Sequence, residues 1–197
     1  MIQGFHFIFS AYGFWLPNDP RGSWSDIVRQ FDLLQFGPAT KITTTRSVAS
    51  RSHDHRLRLA AKKALRYPPV RFTGQQALAI ARGFSDAMTE QDYTVYALAI
   101  LPDHVHLVMA RHRRPIGEIS AHLKAKATMR LSSEGLHSLE QFASPTGRKP
   151  SPWARNYWCP FIRTQEHMRA AIRYVENNPV KAGFRVQRWS LVTRYDG

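Results

Sequence analysis

Cysteine is nearly absent from this sequence, since Cys159 is the only one among 197 residues. A single thiol excludes an internal disulfide and any zinc site built from several cysteines. We therefore expect a cytoplasmic protein, whose fold is held by its core rather than by covalent cross-links.

Long hydrophobic runs are absent as well, because no stretch approaches the roughly 20 apolar residues of a membrane helix. The first residues, MIQGFHFIFSAYGFW, are apolar but lack a basic region and a small-residue cleavage site. They predict a first strand rather than a signal peptide. A hydrophobic fraction of 43% argues against disorder, and the length suits one domain, alone or with a long insertion.

Acidic residues are scarce, with 14 against 28 lysines and arginines, so the formal net charge is +14. Such a charge attracts polyanions. An anionic membrane surface is the competing partner, but the sequence shows neither a basic amphipathic anchor nor a lipidation signal. Structural RNA stays open as a partner. We favour nucleic acid in general, no membrane, and an association with the bacterial-type nucleoid.

Alternating and helical patterns predict an α+β domain spanning residues 1–197. Strands are predicted at 4–12, 94–101, 105–112 and 156–163. Helices are predicted at 73–91 with Thr73 as N-cap, at 116–135, and at 166–179 with Pro179 as the terminator. The order strand, helix, strand, strand, helix, strand predicts a ferredoxin-like antiparallel sheet (split β-α-β), with helices packed on it and one helix appended.

Two further segments interrupt this order. Residues 25–72 carry no clear sheet signal and predict an insertion that is partly helical across 52–66. Residues 136–152 are rich in serine, proline and glycine and predict a mobile basic loop. In that loop Arg148 and Lys149 are candidate DNA contacts.

The segment LAILPDHVHLVMARH places His104 and His106 one residue apart in an apolar run. Alternate side chains of a strand share a face, and roughly 6.5–7 Å along the strand lets two rings converge on one ion. The competing explanation is two core histidines that bond to nearby carbonyl groups. Two histidines on one face, beside a turn in a basic protein, favour the metal site.

The pair His53 and His55 has the same spacing but lies in a polar, arginine-rich stretch expected to be helical. Residues two apart on a helix diverge by roughly 200°. We therefore expect solvated histidines that share no ion.

The last predicted helix carries Tyr174 and Asn178, four residues apart and hence neighbours on one face. They fall at the border of the buried stripe formed by Met168, Ala171, Ile172 and Val175. A tyrosine at the edge of a core is commonly amphipathic packing. Together with the histidine pair it becomes a candidate nucleophile beside a third metal ligand.

Two further groups have two interpretations each, and Arg173 has one. His122, Lys126 and Arg130 lie four apart on one helix and form either a row that contacts phosphates or an ordinary solvated face. Trp15 and Trp24, in WLPNDPRGSW, either stack on bases or pin a loop to the core. Arg173, beside Tyr174, is a further candidate DNA contact.

The motifs PDHVHLV, YVENNPVKAG and YGFWLPNDPRGSW together resemble the single-tyrosine HUH transposases, most closely the REP-associated tyrosine transposases. The resemblance covers residues 1–24 and about 92–189. It implies a transposase-like single-stranded DNA endonuclease and strand transferase that uses Mg or Mn. Such enzymes cut beside structured hairpin DNA through a 5′-phosphotyrosine intermediate.

By the same resemblance, His104 and His106 match the two histidine ligands, Tyr174 the nucleophile and Asn178 the polar ligand one turn later. Asn177 is adjacent, so the choice between the two amides stays open. The 25–72 segment is longer than in compact members of the family. The expected assembly is a monomer or a homodimer. The alternatives are a non-cleaving DNA- or RNA-hairpin-binding protein derived from such an enzyme, and a metal-dependent small-substrate hydrolase, which leaves the +14 charge unexplained.

Overall fold

A four-stranded antiparallel sheet forms the centre of the molecule in a computed structural model, which describes residues 1–44 and 47–197. Its strands are β1 (Gly4–Ser10), β2 (Val95–Ile100), β3 (His104–Ala110) and β4 (Phe161–Ile162), in the spatial order β2-β3-β1-β4. This is the order of a split β-α-β sheet, so the predicted α+β, ferredoxin-like fold class is confirmed.

Within the described ranges, the sheet is accompanied by the α-helices α1 (His55–Lys63), α2 (Gly74–Gln91), α3 (Ile116–Ser133) and α4 (Gln165–Lys181). Helix α2 begins where the sequence predicts it, because Thr73 and Gln76 form a reciprocal capping box. Across the residues that the structure describes, no helix is both long and apolar enough to span a bilayer.

The two faces of the sheet bury different partners. On one face, Phe7 and Phe9 of β1 pack with Phe84 of α2 and with Leu123 of α3 in the main core. On the other face, Val108 and the small residues Ala97 and Ala99 pack against α4. Successive side chains of a strand point to opposite faces of the sheet, and this alternation produces the division. The side chains that do not enter the main core therefore face α4.

Helix α4 does not end at Pro179, so that prediction is wrong. Pro179 lies inside the helix, which continues to Lys181. The terminator is Gly183, whose φ of 81° places it in the left-handed region. The amide of Phe184 donates to the Pro179 carbonyl and that of Gly183 to the Val180 carbonyl, as in a Schellman motif. Glycine adopts this conformation without a Cβ clash and therefore sets the end.

Strand β4 is much shorter than the predicted 156–163, because Pro160 lacks the N–H group that a longer ladder needs. The chain nevertheless follows β1 for its whole length. Carbonyl groups of Pro152, Trp158, Pro160 and Ile162 accept from amides of residues 3–12. Residues 152–160 therefore lie beside the C-terminal half of β1 and the residues that follow it.

The 25–72 segment contains a 3-10 helix at Phe31–Phe36 and helix α1, and Thr45 and Arg46 within it lie outside the described residues. It forms a small apolar cluster with the preceding loop, built from Leu16, Val28, Leu33 and Ala61. In the 136–152 loop, Leu139 is buried and Lys149 pairs with Glu140.

Candidate active site

Strand β3 brings His104 and His106 to the same face of the sheet, while Val105 between them is buried in the main core. The two imidazole centroids are 4.9 Å apart and nearly perpendicular, at 80°. His106 is only 4% exposed, whereas His104 is partly open. The spacing that the HVH motif predicts is therefore present.

His104 is held by two neighbours. Its Nδ1 atom lies 2.7 Å from Oδ1 of Asp103, and its ring stacks on Phe14 at 5.0 Å and 7°. Burial acts to raise the pKa of Asp103, but the hydrogen bond to His104 and the charges of His104 and Arg71 outweigh it. The pKa of Asp103 is therefore lowered, and the carboxylate fixes the orientation of the imidazole.

His106 is held by a third histidine that sequence reasoning missed. Nε2 of His6, on β1, lies 3.0 Å from Nδ1 of His106. In the observed register Ile8 is opposite His106, so His6 is its diagonal neighbour on the same face. The alternation of GFHFIFS reveals that His6 shares a face with Ile8, but only the register reveals which residue it meets.

Burial keeps both of these histidines neutral. It lowers the pKa of His106 well below the usual value, and the charges of His104 and His6 lower it further. Burial, followed by the charge of His167, lowers the pKa of His6 to about 4. At neutral pH each imidazole therefore has one N–H group and one unprotonated nitrogen.

Helix α4 brings Tyr174 to this cluster. Its ring centroid is 5.5 Å from that of His106 and 5.9 Å from that of His6, and the residue is 42% exposed. The Lys181 ammonium lies 5.5 Å from the centre of the tyrosine ring. A phenol that contacts a buried imidazole pair and also faces solvent can be reached by a large substrate.

The two neighbouring asparagines of α4 differ. Asn177 is exposed, and its side-chain amide donates to the carbonyl of Arg173 one turn earlier in the same helix. Asn178 is half-buried and lies four residues after Tyr174, on the same side of the helix. This difference favours Asn178 over Asn177 as the asparagine that lies next to Tyr174.

The histidine pair has the donor chemistry of a divalent-metal site. Each ring has its Nδ1 atom engaged, one with a carboxylate and one with His6, so the Nε2 atom remains as the ligand atom. This is the usual way in which proteins orient metal-binding imidazoles. Within residues 1–44 and 47–197, no group of three or more His, Cys, Asp or Glu side chains is arranged to hold a metal. An amide oxygen is among the other ligand types that divalent ions accept.

A cleft of about 490 Å³ opens beside the histidines and Tyr174. One wall is the 14–25 loop, another is the chain at 154–158, and Ile8 and Ser10 of β1 also line it. Lys124 of α3 fixes the second wall, since its ammonium donates to the carbonyl groups of Ala154 and Asn156. Sequence reasoning did not find Lys124.

The two tryptophans of the 14–25 loop have different positions. Trp15 is pinned, because its indole N–H donates to the Gly22 carbonyl and its ring lies 3.8 Å from the Arg21 guanidinium carbon. Trp24 is 47% exposed, and its ring centroid is 6.1 Å from that of Trp158. The loop-pinning interpretation thus fits Trp15, and Trp24 remains available at the cleft.

The row on α3 lies on the far side of the sheet from the histidines and already has partners. His122 and Lys126 pair with Glu90, and Arg130 pairs with Asp86. Arg148 and Lys149 are in the 136–152 loop, where the side chain of Lys149 pairs with Glu140. Arg173 is exposed and adjacent to Tyr174.

The expected divergence of His53 and His55 is wrong, since their ring centroids are 4.1 Å apart. Asp54 is the N-cap of α1, so His53 precedes the helix and has no helical position. His53 Nδ1 lies 2.7 Å from the Arg51 carbonyl oxygen. The pair belongs to the insertion and is not among the residues that line the cleft beside the β3 histidines.

A family model for IS200-like transposases matches residues 64–178, which include His104, His106 and Tyr174. No curated protein matches the sequence. Among solved structures, the chain is similar to a REP-associated tyrosine transposase bound to a REP hairpin, with 12% identity and a TM-score of 0.48. That match covers 99% of this chain and 93% of the other. It is also similar to a candidate transposase from Deinococcus radiodurans R1, with 16% identity and a TM-score of 0.42, over 90% and 91% of the two chains. The family match, which spans more than half of the chain, carries the assignment.

Proposed function

The chain belongs to the IS200-like transposases and is a transposase-like DNA-binding protein, and from this premise we propose that it cuts and rejoins single-stranded DNA beside structured hairpins. The observation that carries the proposal is the contact of Tyr174 with the His104–His106 cluster. A tyrosine next to two preoriented imidazoles is what a phosphotyrosine mechanism requires, whereas binding alone requires none of these groups.

We propose Tyr174 as the nucleophile. Its phenol oxygen attacks the phosphorus, the bond from phosphorus to the 3′ oxygen breaks, and the DNA 5′ end becomes linked to the tyrosine. The phenol loses its proton and the departing 3′ oxygen gains one, so the step is balanced in protons. Because the link to phosphorus conserves a phosphodiester bond, a 3′-hydroxyl can later reverse the reaction.

We propose His104 and His106 as two ligands of Mg or Mn, with Asn178 as the third. A divalent ion supplies polarisation of the phosphoryl oxygen and neutralises its charge. Asp103 and His6 do not bind the ion in this proposal; they hold the rings of His104 and His106 in position. The amide of Asn177 is occupied by its own helix, which supports Asn178 in this role.

For contacts to the DNA backbone we propose Arg173, which is exposed beside Tyr174, and Arg148 in the 136–152 loop. We also propose a cytoplasmic location at the nucleoid, and REP-like hairpins as targets. The 25–72 segment we propose as an insertion into a single domain, where it builds one side of the cleft with the loop at 14–25.

The test is an adduct assay with hairpin DNA that carries a single-stranded extension, in the presence of Mn²⁺. The parent protein is expected to form a covalent complex that survives denaturation and maps to Tyr174. Tyr174→Phe is expected to form none while still binding the DNA. Tyr93→Phe is the matched control, since Tyr93 lies on the other face of the sheet and contacts His112 and His122. An adduct of equal yield in Tyr174→Phe would remove Tyr174 from the mechanism.

A non-cleaving hairpin-binding protein is the second candidate, and the basic charge supports it equally well. It predicts DNA binding by the parent with no adduct under any metal condition. Substituting His104 with alanine separates the two functions. An enzyme loses cleavage in this variant and retains most of its affinity, whereas a pure binding protein shows no change.

A further inference from the structure

The cleft beside the histidines has an aromatic surface that the proposed chemistry does not use. Trp24 presents about half of its surface to solvent and stands next to Trp158. An indole left exposed in a cleft keeps a π-face free for a planar partner. Besides Tyr174, the aromatic lining residues are Phe14, Trp15, Trp24, Tyr157 and Trp158.

The loop that carries Trp24 is built to hold its shape. Asp19 is buried and accepts two hydrogen bonds from the Arg21 guanidinium, at 2.7 Å each. The side chain of Thr40 donates to the Asp19 carbonyl, and that of Asn18 donates to the Leu33 carbonyl. A buried charge-assisted pair of this kind costs free energy unless it is fully bonded, and the bonding here fixes the loop before any ligand arrives. Preorganisation of this kind raises affinity by lowering the entropy lost on binding.

Serine, aromatic and aliphatic side chains dominate the part of the cleft lining that the structure describes. No Asp, Glu, Lys or Arg is among the lining residues that the structure describes, in a chain with 28 basic residues. The part of the cleft around Trp24 and Trp158, away from the histidines and Tyr174, therefore matches a neutral aromatic base better than a phosphate. Hydroxyl groups of Ser10, Ser23 and Ser25 and the Asn156 side chain add polar atoms at its edges. The volume of about 490 Å³ falls within the range of roughly 300–1,000 Å³ that is typical of small-ligand sites.

The cleft is continuous with the candidate active site, because His104, His106 and Tyr174 line it as well. A planar group that occupies it therefore lies in the same cleft as the phosphate that Tyr174 attacks. We infer that the cleft is a nucleobase subsite, which receives the base of one unpaired nucleotide flanking the scissile phosphate. This base stacks on the ring of Trp24, in the space between the tilted rings of Trp24 and Trp158. This inference rests on the proposed function, and it adds a base-recognition site to it.

The experiment combines substitutions in the protein with abasic substitutions in the DNA. The probe is a labelled hairpin with a single-stranded extension, in which each nucleotide of the extension in turn is made abasic. Its affinity is measured for the Tyr174→Phe chain, which does not turn the probe over, and for the same chain with Trp24→Ala or Trp24→Phe. Phe31→Ala is the control, because Phe31 is exposed in the insertion and does not line the cleft.

The expected result is that the base at a single position of the single-stranded extension depends on Trp24 for its contribution to affinity. Base stacking on an aromatic side chain corresponds to a loss of roughly 5- to 150-fold in affinity when it is removed. Trp24→Ala is expected to lose affinity in this range for the intact probe. At one abasic position the Trp24→Ala and Trp24 proteins should bind equally. Trp24→Phe is expected to recover most of the loss, and Phe31→Ala to bind as the parent does.

Equal losses from Trp24→Ala on every probe, or no loss at all, would overturn the inference. If Trp24→Ala does not fold, abasic scanning with Trp24 in place still decides, because a uniform response along the extension contradicts a base subsite. The adduct assay separates this failure from that of the proposed function. An adduct without coupling to Trp24 rejects the subsite alone, and coupling without an adduct rejects the cleavage chemistry alone.

Discussion

His6 shows how one residue outside a motif supports the residues within it. Its Nε2 atom shares a hydrogen with Nδ1 of His106, so it selects which nitrogen of His106 is left for a ligand. Partners of this kind typically change metal affinity by about 10–100-fold when they are removed. We expect His6→Ala to weaken Mn²⁺ binding, measured by calorimetry, by a factor in that range.

Two variants control for this prediction. His6→Gln retains an amide that is able to bond with His106, and it is expected to recover part of the affinity. His112→Ala removes a histidine that contacts Tyr93 on the other side of the sheet, and it is expected to leave Mn²⁺ binding unchanged. Undiminished Mn²⁺ affinity in His6→Ala would show that the ring of His106 is oriented without His6.

Lys124 is a second supporting residue, and its effect depends on pH. Burial lowers its pKa to about 8. Since the folded protein holds this proton less tightly than the unfolded chain does, folding becomes more favourable as pH rises from about 8 towards the ordinary lysine value of 10.5. The free energy of unfolding of the parent should therefore rise relative to Lys124→Met across that window, by on the order of 2 kcal/mol.

Urea denaturation at pH 8, 9 and 10 measures this difference. Lys126→Met is the control for the loss of one positive charge, because Lys126 lies two residues away and pairs with Glu90 on the outside of the helix pair. A parent-to-variant difference that stays constant from pH 8 to pH 10 would mean that the Lys124 ammonium is well solvated.

At the level of elements, the packing of α2 on α3 depends on one glycine. A Cβ atom at Gly83 would lie 2.6 Å from the Ala127 Cα and from the Lys126 carbonyl oxygen, both of which are backbone atoms. The backbone of α3 has no side-chain rotamer through which to make room. Gly83→Ala is therefore expected to lower the free energy of unfolding by about 1–3 kcal/mol, as overpacked cores do.

The same helix offers a matched control in Gly74, where an added Cβ meets nothing within 4 Å. Gly74→Ala is expected to be neutral or to stabilise by about 0.4–1 kcal/mol, because it restricts the unfolded chain. Urea denaturation with an unchanged slope compares the two variants. Equal stabilities would mean that α2 and α3 separate at no cost.

The elements themselves were largely predictable from the sequence, whereas their ends and their neighbours were not. The N-cap residue Thr73 and the apolar run that follows Pro102 are local signals, and they located α2 and β3 to within two residues of their observed ends. The end of α4 was misplaced because Pro179 is a strong local signal, yet the bonds to Gly183 and Phe184 decide the matter.

The candidate site divides in the same way. His104 and His106 share a face by virtue of period two alone, so the sequence was sufficient to pair them. His6 and Lys124 act across strands and segments, and their partners follow from the register of β1 on β3 and from the course of the chain at 154–156. Neither of these is encoded in any short window of sequence.

Across the whole molecule, the few acidic groups are distributed unevenly, so they neutralise the basic charge on some surfaces more than on others. Asp86, Glu90 and Glu134 all face the α2–α3 surface, where they pair with cations of those two helices. The positive charge of that surface is therefore partly neutralised. On α4, next to Tyr174, Arg173 is exposed, so its charge is open to a DNA phosphate.

This division predicts where DNA contacts the protein. Each phosphate contact to a single strand contributes about 0.7 to the slope of log affinity against log salt concentration. Arg173→Ala is expected to reduce that slope by about this amount and to weaken binding at low salt. Lys126→Ala and Arg130→Ala remove cations of the α3 row that already have carboxylate partners, and they are expected to change the slope far less.

The measurement is the affinity for a labelled hairpin with a single-stranded extension, taken at several salt concentrations between about 50 and 200 mM, a range over which phosphate contacts change the affinity strongly. The opposite pattern, a reduced slope in Lys126→Ala with none in Arg173→Ala, would place the strand along the α2–α3 surface and away from Tyr174.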